Sequence, residues 1–376
     1  GQPTLTVGAD RTRTFAGGGM SFLFSDILGN HTVGTILQVN GQLEDFGGVV
    51  GYENRKRRWV WGGGLEQIPF VTGRFRQALD RIGNEEVIVE DAELFRQTNR
   101  SASAFVAYPF SRAQRVELSA AVRNVGFSSE RVRRVFSNFT GELLLEERED
   151  LPAPDGLTYG EAGAALVYDT SVFGATGPIL GQRYRLEATP SFGAIQFLGV
   201  LADYRRYFMP ARPFTFAFRG LHYGRYGSGG EDPRNFDLFL GYPNLVRGYD
   251  TGSFDARECG IDPNSSCPVF DQLLGSKILV GNAELRFPPF GAISGSRRNL
   301  YGPLPLELLF FGDTGVAWTE AQNPTFLSDG TRKFVSSVGA GARVNLFGYA
   351  IVEVDYVRPL DRNKGWHWVF NFSPGF

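Results

Sequence analysis

The sequence predicts an all-β fold, a single antiparallel transmembrane β-barrel of sixteen strands over residues 1–376. Segments in which apolar and polar side chains alternate recur along the whole chain, and a period of two is that of a strand with unlike faces. The chain contains 33 Phe, 14 Tyr, 5 Trp and 48 Gly, an excess that suits membrane girdles, twisted strands and turns. The third observation that favours this fold is the aromatic alternation at the end of the chain.

In that last segment, residues 366–376, bulky apolar residues share one parity: Trp366, Trp368, Phe370, Phe372 and Phe376. The other parity contains smaller or polar residues: His367, Asn371 and Ser373. A strand that closes a barrel leaves no open edge for unwanted pairing, and an aromatic face suits contact with lipid. We therefore expect the chain to lie in a bacterial outer membrane.

Sixteen segments meet the strand criterion in chain order: 3–9, 15–25, 30–42, 45–54, 57–70, 91–109, 113–127, 159–171, 181–192, 195–209, 214–227, 276–288, 304–318, 334–346, 348–358 and 366–376. Polar residues fall on the inward parity, as Arg343 and Asn345 do in one late strand and Glu353 and Asp355 do in the next. An even number of strands places the N- and C-termini on one side, the periplasm in bacterial barrels.

The predicted connections differ in length on the two sides. Those after strands two, four, six, ten and fourteen are tight, whereas long connections occupy 71–90, 128–158, 228–275 and 319–333. Short periplasmic turns and long extracellular loops are the asymmetry expected of an outer-membrane barrel. We refer to residues 228–275, the sixth extracellular connection, as loop 6.

Composition and charge argue against other classes of protein, including a soluble β-sandwich or propeller enzyme. No run of residues reaches the ~18 apolar positions of a membrane-spanning helix. Lys+Arg total 38 and Asp+Glu total 40, so no nucleic-acid surface is expected. His31, His222 and His367 are far apart, which predicts no metal site. Gly291 to Gly295 lacks the partners of a nucleophile, so we expect neither a cofactor nor an enzymatic activity.

Both cysteines of the chain, Cys259 and Cys267, lie in loop 6 among turn-forming residues. Their spacing favours a disulfide that pins the loop in an oxidising compartment. A metal site is the weaker alternative, because the chain has only three scattered histidines and no further cysteine.

Two motifs place opposite charges at one level of the predicted barrel. Loop 6 contains Val246-Arg247-Gly248-Tyr249, and the strand at 304–318 contains Phe311-Gly312-Asp313-Thr314-Gly315. Parity directs Phe311, Asp313 and Gly315 inward, and Phe310 and Val316 towards lipid. An inward aspartate beneath a loop arginine favours a charge-assisted, bidentate pair. The strand at 276–288 adds further inward polar residues: Asn282, Glu284 and Arg286.

These motifs resemble those of the BamA/TamA/FhaC superfamily of outer-membrane assembly and secretion barrels, the bacterial surface antigen family. Val246 to Tyr249 is similar to the family's VRGF/Y loop motif, and Phe311 to Gly315 is similar to its F-x-D-x-G strand motif. The resemblance is strongest from about residue 181 to the end of the chain. It implies that loop 6 folds into the barrel, where Arg247 meets Asp313 and Glu284.

The resemblance also implies a function, the insertion or translocation of unfolded outer-membrane or secreted client proteins, with periplasmic accessory subunits as further partners. The client would pass a seam between the first and last strands, at which the last strand presents these residues: Phe370, Phe372, Pro374, Gly375 and Phe376. Because proline cannot donate to a β-ladder, we expect this end of the strand to be weakly paired.

Two alternatives remain open at this stage. Family members that assemble proteins have POTRA repeats before the barrel; residues 1–376 contain neither such repeats nor a signal peptide, and we expect POTRA repeats or another soluble domain to precede them. The chain could then be a passive membrane anchor for that domain. It could also be a transport channel whose charged wall selects ions, through these residues: Arg183, Arg185, Glu187, Arg219 and Arg225.

Overall fold

The structure, a computed structural model, describes residues 2–9, 14–40, 42–83, 85–254, 258, 267–294, 300–302, 304–326, 330–346, 348 and 350–374. Antiparallel strands make up most of these residues. Within the same ranges, every helix is too short or too polar to cross a bilayer.

The strands, in chain order, are β1 Gln2–Ala9, β2 Thr14–Ser25, β3 His31–Asn40, β4 Gln42–Asn54, β5 Val60–Ile82, β6 Glu85–Pro109, β7 Gln114–Ser137, β8 Leu143–Leu151, β9 Leu157–Asp169, β10 Val172–Phe173, β11 Pro178–Gly193, β12 Leu198–Ala211, β13 Phe214–Tyr226, β14 Leu238–Phe239, β15 Leu274–Gly275, β16 Lys277–Phe287, β17 Leu306–Trp318, β18 Val335–Leu346, β19 Ala350–Pro359 and β20 His367–Pro374. The helices are α1 Pro268–Asp271, α2 Pro289–Ser294 and the 3-10 turns Ser228–Glu231 and Thr251–Ser253.

Each predicted strand overlaps one of these strands, and the all-β, antiparallel fold is confirmed. The period-of-two pattern locates strands because it reports the two faces of a pleated sheet. Closure of the sheet into a sixteen-stranded barrel stays a prediction, as does its description as one domain.

The chain forms two compact units, of which the first comprises Gly1–Tyr108, Glu117–Gly163 and Ser191–Ile195. In this unit β1 to β6 pair antiparallel, each strand with the next in sequence. Strand β8 pairs with β7. Pairing of sequence neighbours follows from the short turns that join them, since a hairpin needs few connecting residues.

The prediction of long loops at 71–90 and 128–158 was wrong. Residues 71–90 extend β5 to Ile82 and begin β6 at Glu85, and the two strands stay in register over this length. Residues 128–158 extend β7, form β8 and begin β9. These segments are rich in charged residues and contain short continuous apolar runs such as Val87 to Val89, so little alternation is visible and the pattern resembles that of a loop. Strands β5 and β6 have 23 and 25 residues, well beyond the roughly 9–11 that span a membrane.

The second unit comprises Pro109–Val116, Ala164–Pro190 and Gln196–Phe376. Here β11, β12, β13, β16, β17, β18, β19 and β20 pair antiparallel in that order. We call the face of this sheet that bears Asp313 the polar face. Phe310 is 55% exposed, whereas Phe311 and Asp313 are buried, so the predicted parity of this part of β17 is confirmed.

Val316 is an exception to that parity. It was predicted to face lipid but is fully buried. Phe326, from the segment that follows β17, packs on Trp318 with ring centroids 6.4 Å apart. Because Trp318 lies on the same face as Val316, this end of β17 is covered on the side predicted to meet lipid.

The last strand keeps the predicted alternation. Trp368 and Phe370 are 61% and 72% exposed, whereas Val369 between them is buried. Register with β19 continues to the pair Ala350↔Pro374. Only the backbone of Phe372 and Pro374 is described, and Gly375 and Phe376 lie outside the described residues, so the weakly paired seam stays a prediction.

Candidate functional site

Loop 6 enters the site through a tight local fold around Gly248. The amide of Leu245 donates to the carbonyl of Tyr242 over 2.8 Å, and the amide of Val246 donates to the carbonyl of Leu240 over 3.2 Å. Gly248 has a φ of 85°, a left-handed conformation that favours glycine. A Cβ there would lie 3.0 Å from Val357 Cγ2. Glycine therefore permits both the turn and the close approach of the loop to β19.

The side chain of Arg247 forms a bidentate ion pair with Asp313 of β17. Its Nε donates to Asp313 Oδ2 over 2.7 Å, and its Nη2 donates to Oδ1 over 2.9 Å. The backbone amide of Arg247 also donates to Oδ2, over 3.3 Å. Both residues are almost fully buried. The planar guanidinium fork matches a carboxylate in this way, which a lysine could not reproduce.

Three more carboxylates surround the same guanidinium. Glu284 Oε1 of β16 lies 2.9 Å from Arg247 Nη2. On β19, Glu353 Oε1 and Asp355 Oδ2 lie 3.2 Å and 3.8 Å from Nη1. The sequence predicted the pairing of Arg247 with Asp313 and Glu284, and the structure brings these residues together. It did not predict the contribution of Glu353 and Asp355, although it placed both on the inward parity.

Two further arginines on the polar face balance these carboxylates. Arg343 of β18 donates to both Glu284 and Glu353, with distances of 2.8–3.1 Å. Arg286 lies 2.5 Å from Glu284 through Nη2. Because buried charges are costly unless they are paired, this mixed network lets one loop arginine lie among several acids.

The aromatic and glycine positions of the strand motif shape the site around the ion pair. The guanidinium carbon of Arg247 lies 3.5 Å from the centroid of the Phe311 ring, a cation–π contact. A Cβ at Gly315 would lie 2.9 Å from Val246 Cγ2 and 3.1 Å from Leu240 Cδ2. A Cβ at Gly339 of β18 would lie 2.4 Å from Phe311 Cζ. Thus Phe311 supports the arginine, and the glycines leave room for the loop and for the ring.

Apolar burial holds the same part of loop 6 against the sheet. The side chains in this cluster come from the loop and from β13, β16, β17 and β18: Leu221, Leu240, Leu245, Val246, Tyr249, Leu273, Ile278, Val280, Ala317 and Val335. Val246 and Tyr249 are fully buried. Burying one such side chain contributes about 1.5–3 kcal/mol, so the motif residues contribute to packing as well as to charge pairing.

The environment changes the ionisation of both polar motif residues. Burial acts to lower the pKa of Arg247, but the hydrogen bonds to Asp313 and the charges of Glu284 and Glu353 outweigh it, so the pKa is raised. Burial raises the pKa of Tyr249, and the charge of Asp361 raises it further. The hydroxyl of Tyr249 donates to the carbonyl of Ser336 over 2.9 Å. The arginine is therefore a permanent cation, and the tyrosine is a neutral donor.

Two of the arginines that the sequence placed in a charged wall also contact loop 6. Arg219 Nη1 of β13 donates to the carbonyl of Asn244 over 2.7 Å, and Arg225 Nη2 donates to the carbonyl of Phe236 over 2.9 Å. Next to Arg219 is a cavity of about 280 Å³, lined by residues that include Arg205, Arg219, Arg247, Arg343 and Asn371. Loop 6 thus forms one side of a charged cavity.

The predicted disulfide falls partly outside what the structure describes. Cys267 precedes α1, but Cys259 lies outside the described residues. The Cys259–Cys267 disulfide therefore stays a prediction.

An antiparallel chain with an aromatic outer face and a buried arginine–carboxylate cluster has the features of an outer-membrane β-protein. Comparison with known families is consistent with that class, because residues 89–376 match the Omp85 superfamily domain. The chain belongs to the Omp85 superfamily, whose members are non-enzymatic assembly and transport barrels of the outer membrane.

Solved structures of similar fold come from the same class. BamA from Haemophilus ducreyi lacking POTRA domains 1–3 matches with a TM-score of 0.56 and 12% identity over 98% of this chain and 68% of that chain. CdiB from Escherichia coli matches with a TM-score of 0.54 and 11% identity over 98% and 61% of the two chains. CdiB from Acinetobacter baumannii matches with a TM-score of 0.50 and 12% identity over 100% and 59%. A comparison with curated proteins finds no match. The TM-scores support the fold, and the chain spans about three fifths of each CdiB chain.

Proposed function

We propose that this protein inserts or translocates other proteins at the outer membrane, through a seam between β1 and β20, with both chain ends in the periplasm. Membership of the Omp85 superfamily supports the general role. The observation that supports the proposal most directly is the burial of Arg247 among Asp313, Glu284 and Glu353. A buried pair of this kind is costly to break from one side. It therefore suits a contact that holds loop 6 in one position.

In this proposal, the anchored loop 6 fills the lumen of the barrel while the client passes through the seam. An unfolded client strand pairs with the backbone of β20 by strand addition. The exposed Trp368 and Phe370 perturb lipid next to it. Apolar burial and strand pairing in the client supply the free energy. The partners are outer-membrane lipid, client proteins and periplasmic accessory subunits.

The test is client insertion in liposomes. The purified protein is reconstituted, an unfolded outer-membrane client is added, and its folding is followed by the gel mobility of unheated samples. We expect faster client folding than in empty liposomes, and loss of most of that gain in Arg247→Ala. Arg206→Ala, which removes an exposed arginine of β12, is the matched control and should behave like the wild type.

Client folding and a conductance recording on the same reconstituted protein separate the two alternatives. A passive membrane anchor would reconstitute normally but leave the rate of client folding unchanged. A transport channel would show a steady conductance that Arg247→Ala does not alter. Either result would contradict the proposal.

A further inference from the structure

A second arginine also holds loop 6, and this arginine lies outside the loop. Arg362 lies in the connection between β19 and β20, and its side chain is 0% exposed. We call β19, β20 and residues 360–366 the last hairpin. Whereas Arg247 belongs to the loop and binds acids on the strands, Arg362 belongs to the last hairpin and binds groups on the loop.

The guanidinium of Arg362 is fully used by loop 6. Its Nε and Nη2 donate to the two carboxylate oxygens of Glu258 over 2.8 and 2.7 Å. Its Nη1 donates to Ser253 Oγ over 2.8 Å and to the carbonyl of Gly248 over 3.3 Å. Its Nη2 also donates to the carbonyl of Ser253 over 2.8 Å. Since arginine has five N–H donors, these five bonds satisfy them all.

Neighbouring residues strengthen the same contact. The guanidinium carbon of Arg362 lies 3.8 Å from the centroid of the Phe254 ring. Lys364 Nζ donates to the carbonyl of Ser253 over 2.5 Å. The hydroxyl of Tyr249 lies 3.3 Å from Asp361 Oδ2. The segment from Gly248 to Phe254 is therefore held by residues 361–364 of the last hairpin, in addition to the contacts of Arg247 with Glu353 and Asp355 of β19.

We infer that Arg362 is a second positioning residue of loop 6, which couples the position of the loop to that of the last hairpin. Because β20 follows Arg362 closely in this hairpin, movement of the start of β20 has to be accompanied by movement of the loop or by rupture of the Arg362 contacts, whereas the Arg247 contacts are with β19. The importance of this coupling for client handling rests on the proposed function. The coupling itself is a property of the folded chain and is tested separately.

The test measures hydrogen exchange of the reconstituted protein in Arg362→Gln. We expect amides of residues 248–254 and amides at the start of β20, residues 367–370, to exchange faster together, by roughly a hundredfold for loss of a buried charge partner. Arg362→Lys keeps the charge but not the fork and should recover only part of the protection. Arg358→Gln, an exposed arginine earlier in the same hairpin, is the matched control and should change neither segment.

A merely local contact gives a different result. If Arg362→Gln accelerates exchange in 248–254 and leaves 367–370 unchanged, the coupling is wrong. If it changes neither segment, the positioning role is wrong as well. Glu258→Gln serves where Arg362→Gln fails to fold, because it keeps the Arg362 bonds to Ser253; the same two segments should respond. Client insertion is measured on the same samples, so failure of the proposed function leaves the exchange result interpretable.

Discussion

At the scale of single residues, the buried Arg247 cluster shows why the two motifs occur together. The guanidinium of Arg247 donates two hydrogen bonds, which Asp313 accepts through both carboxylate oxygens. The ring of Phe311 lies against the face of the same guanidinium. Neither Arg247 nor Asp313 would be stable at this depth alone, because an unpaired buried charge is strongly disfavoured. The arginine of one motif therefore requires the aspartate of the other.

Removing the arginine should destabilise the protein strongly. Arg247→Gln leaves Asp313 buried without its fork, at a cost of about 3–5 kcal/mol. The measurement is denaturant unfolding in detergent, followed by tryptophan fluorescence. The double variant Arg247→Gln, Asp313→Asn should recover part of the lost stability, since the buried side chain at position 313 then carries no charge. Equal stability of Arg247→Gln and Arg206→Gln would show that the cluster does not stabilise the fold.

A methyl group at Gly315 should displace loop 6. In Gly315→Ala the new Cβ would lie 2.9 Å from Val246, and overpacking of this kind costs typically 1–3 kcal/mol. Gly312→Ala on the same strand is the control, because among the described residues a Cβ there meets nothing within 4 Å. Limited proteolysis of loop 6 is the measurement. Equal cleavage rates in the two variants would contradict the packing role of Gly315.

Alkaline pH should loosen loop 6 through Tyr249. Its pKa is raised in the folded protein above the value of about 10 in an unfolded chain. The stabilising contribution is therefore present below about pH 10 and is lost as the pH rises above it. Unfolding measured from pH 8 to 11 should show this loss in the wild type and a smaller one in Tyr249→Phe. Parallel curves for the two proteins would exclude the tyrosine as the cause.

At the scale of elements, the length of β5 and β6 is the main departure from expectation. Their distal halves pair over Val71↔Arg96 to Ile82↔Glu85, and the small cluster Val87, Val89 and Val135 is buried there. Paired strands of this length satisfy their own backbone hydrogen bonds. They can therefore continue beyond the membrane without apolar alternation.

The two halves of β5 should meet different solvents. Leu65 and Leu79 are 64% and 73% exposed, and because a spanning strand needs only about 9–11 residues, we expect Leu65 to lie in the membrane and Leu79 to lie beyond it. In a background of Cys259→Ser and Cys267→Ser, a membrane-impermeant maleimide should label Leu79→Cys on intact cells and should not label Leu65→Cys. Labelling of both, or of neither, would contradict extension of the hairpin outside the cell.

At the scale of the whole molecule, the proposed role requires an inner space that loop 6 closes. Deleting residues 241–254 removes the Arg247 and Ser253 contacts together. Planar-bilayer recordings should then show a larger steady conductance than the wild type. Arg206→Ala is the control and should conduct like the wild type. Equal conductance of the deletion variant and the wild type would mean that the loop does not restrict passage.

Much of the fold was predictable because the two faces of a strand appear in the sequence as apolar and polar residues that alternate with a period of two. The inward parity of Asp313, Glu284, Glu353 and Asp355 followed from that period alone. The distal parts of β5, β6 and β7 and the whole of β8 were missed, since their many charged residues obscure the alternation. Arg362 was also missed, because nothing in its local sequence marks an arginine in a short connection as a partner of loop 6.

The sequence by itself determined the approximate positions of sixteen strands, the faces of most of their residues and the two motifs that meet at Arg247. These are local properties, set by side-chain polarity and backbone geometry. Only the tertiary structure decided which inward acids come within reach of one guanidinium, and that Arg362 of the last hairpin binds Ser253 and Glu258. Cross-strand register and the path of loop 6 set these distances. A contact between residues more than 100 positions apart in the chain produces no periodic pattern in the sequence.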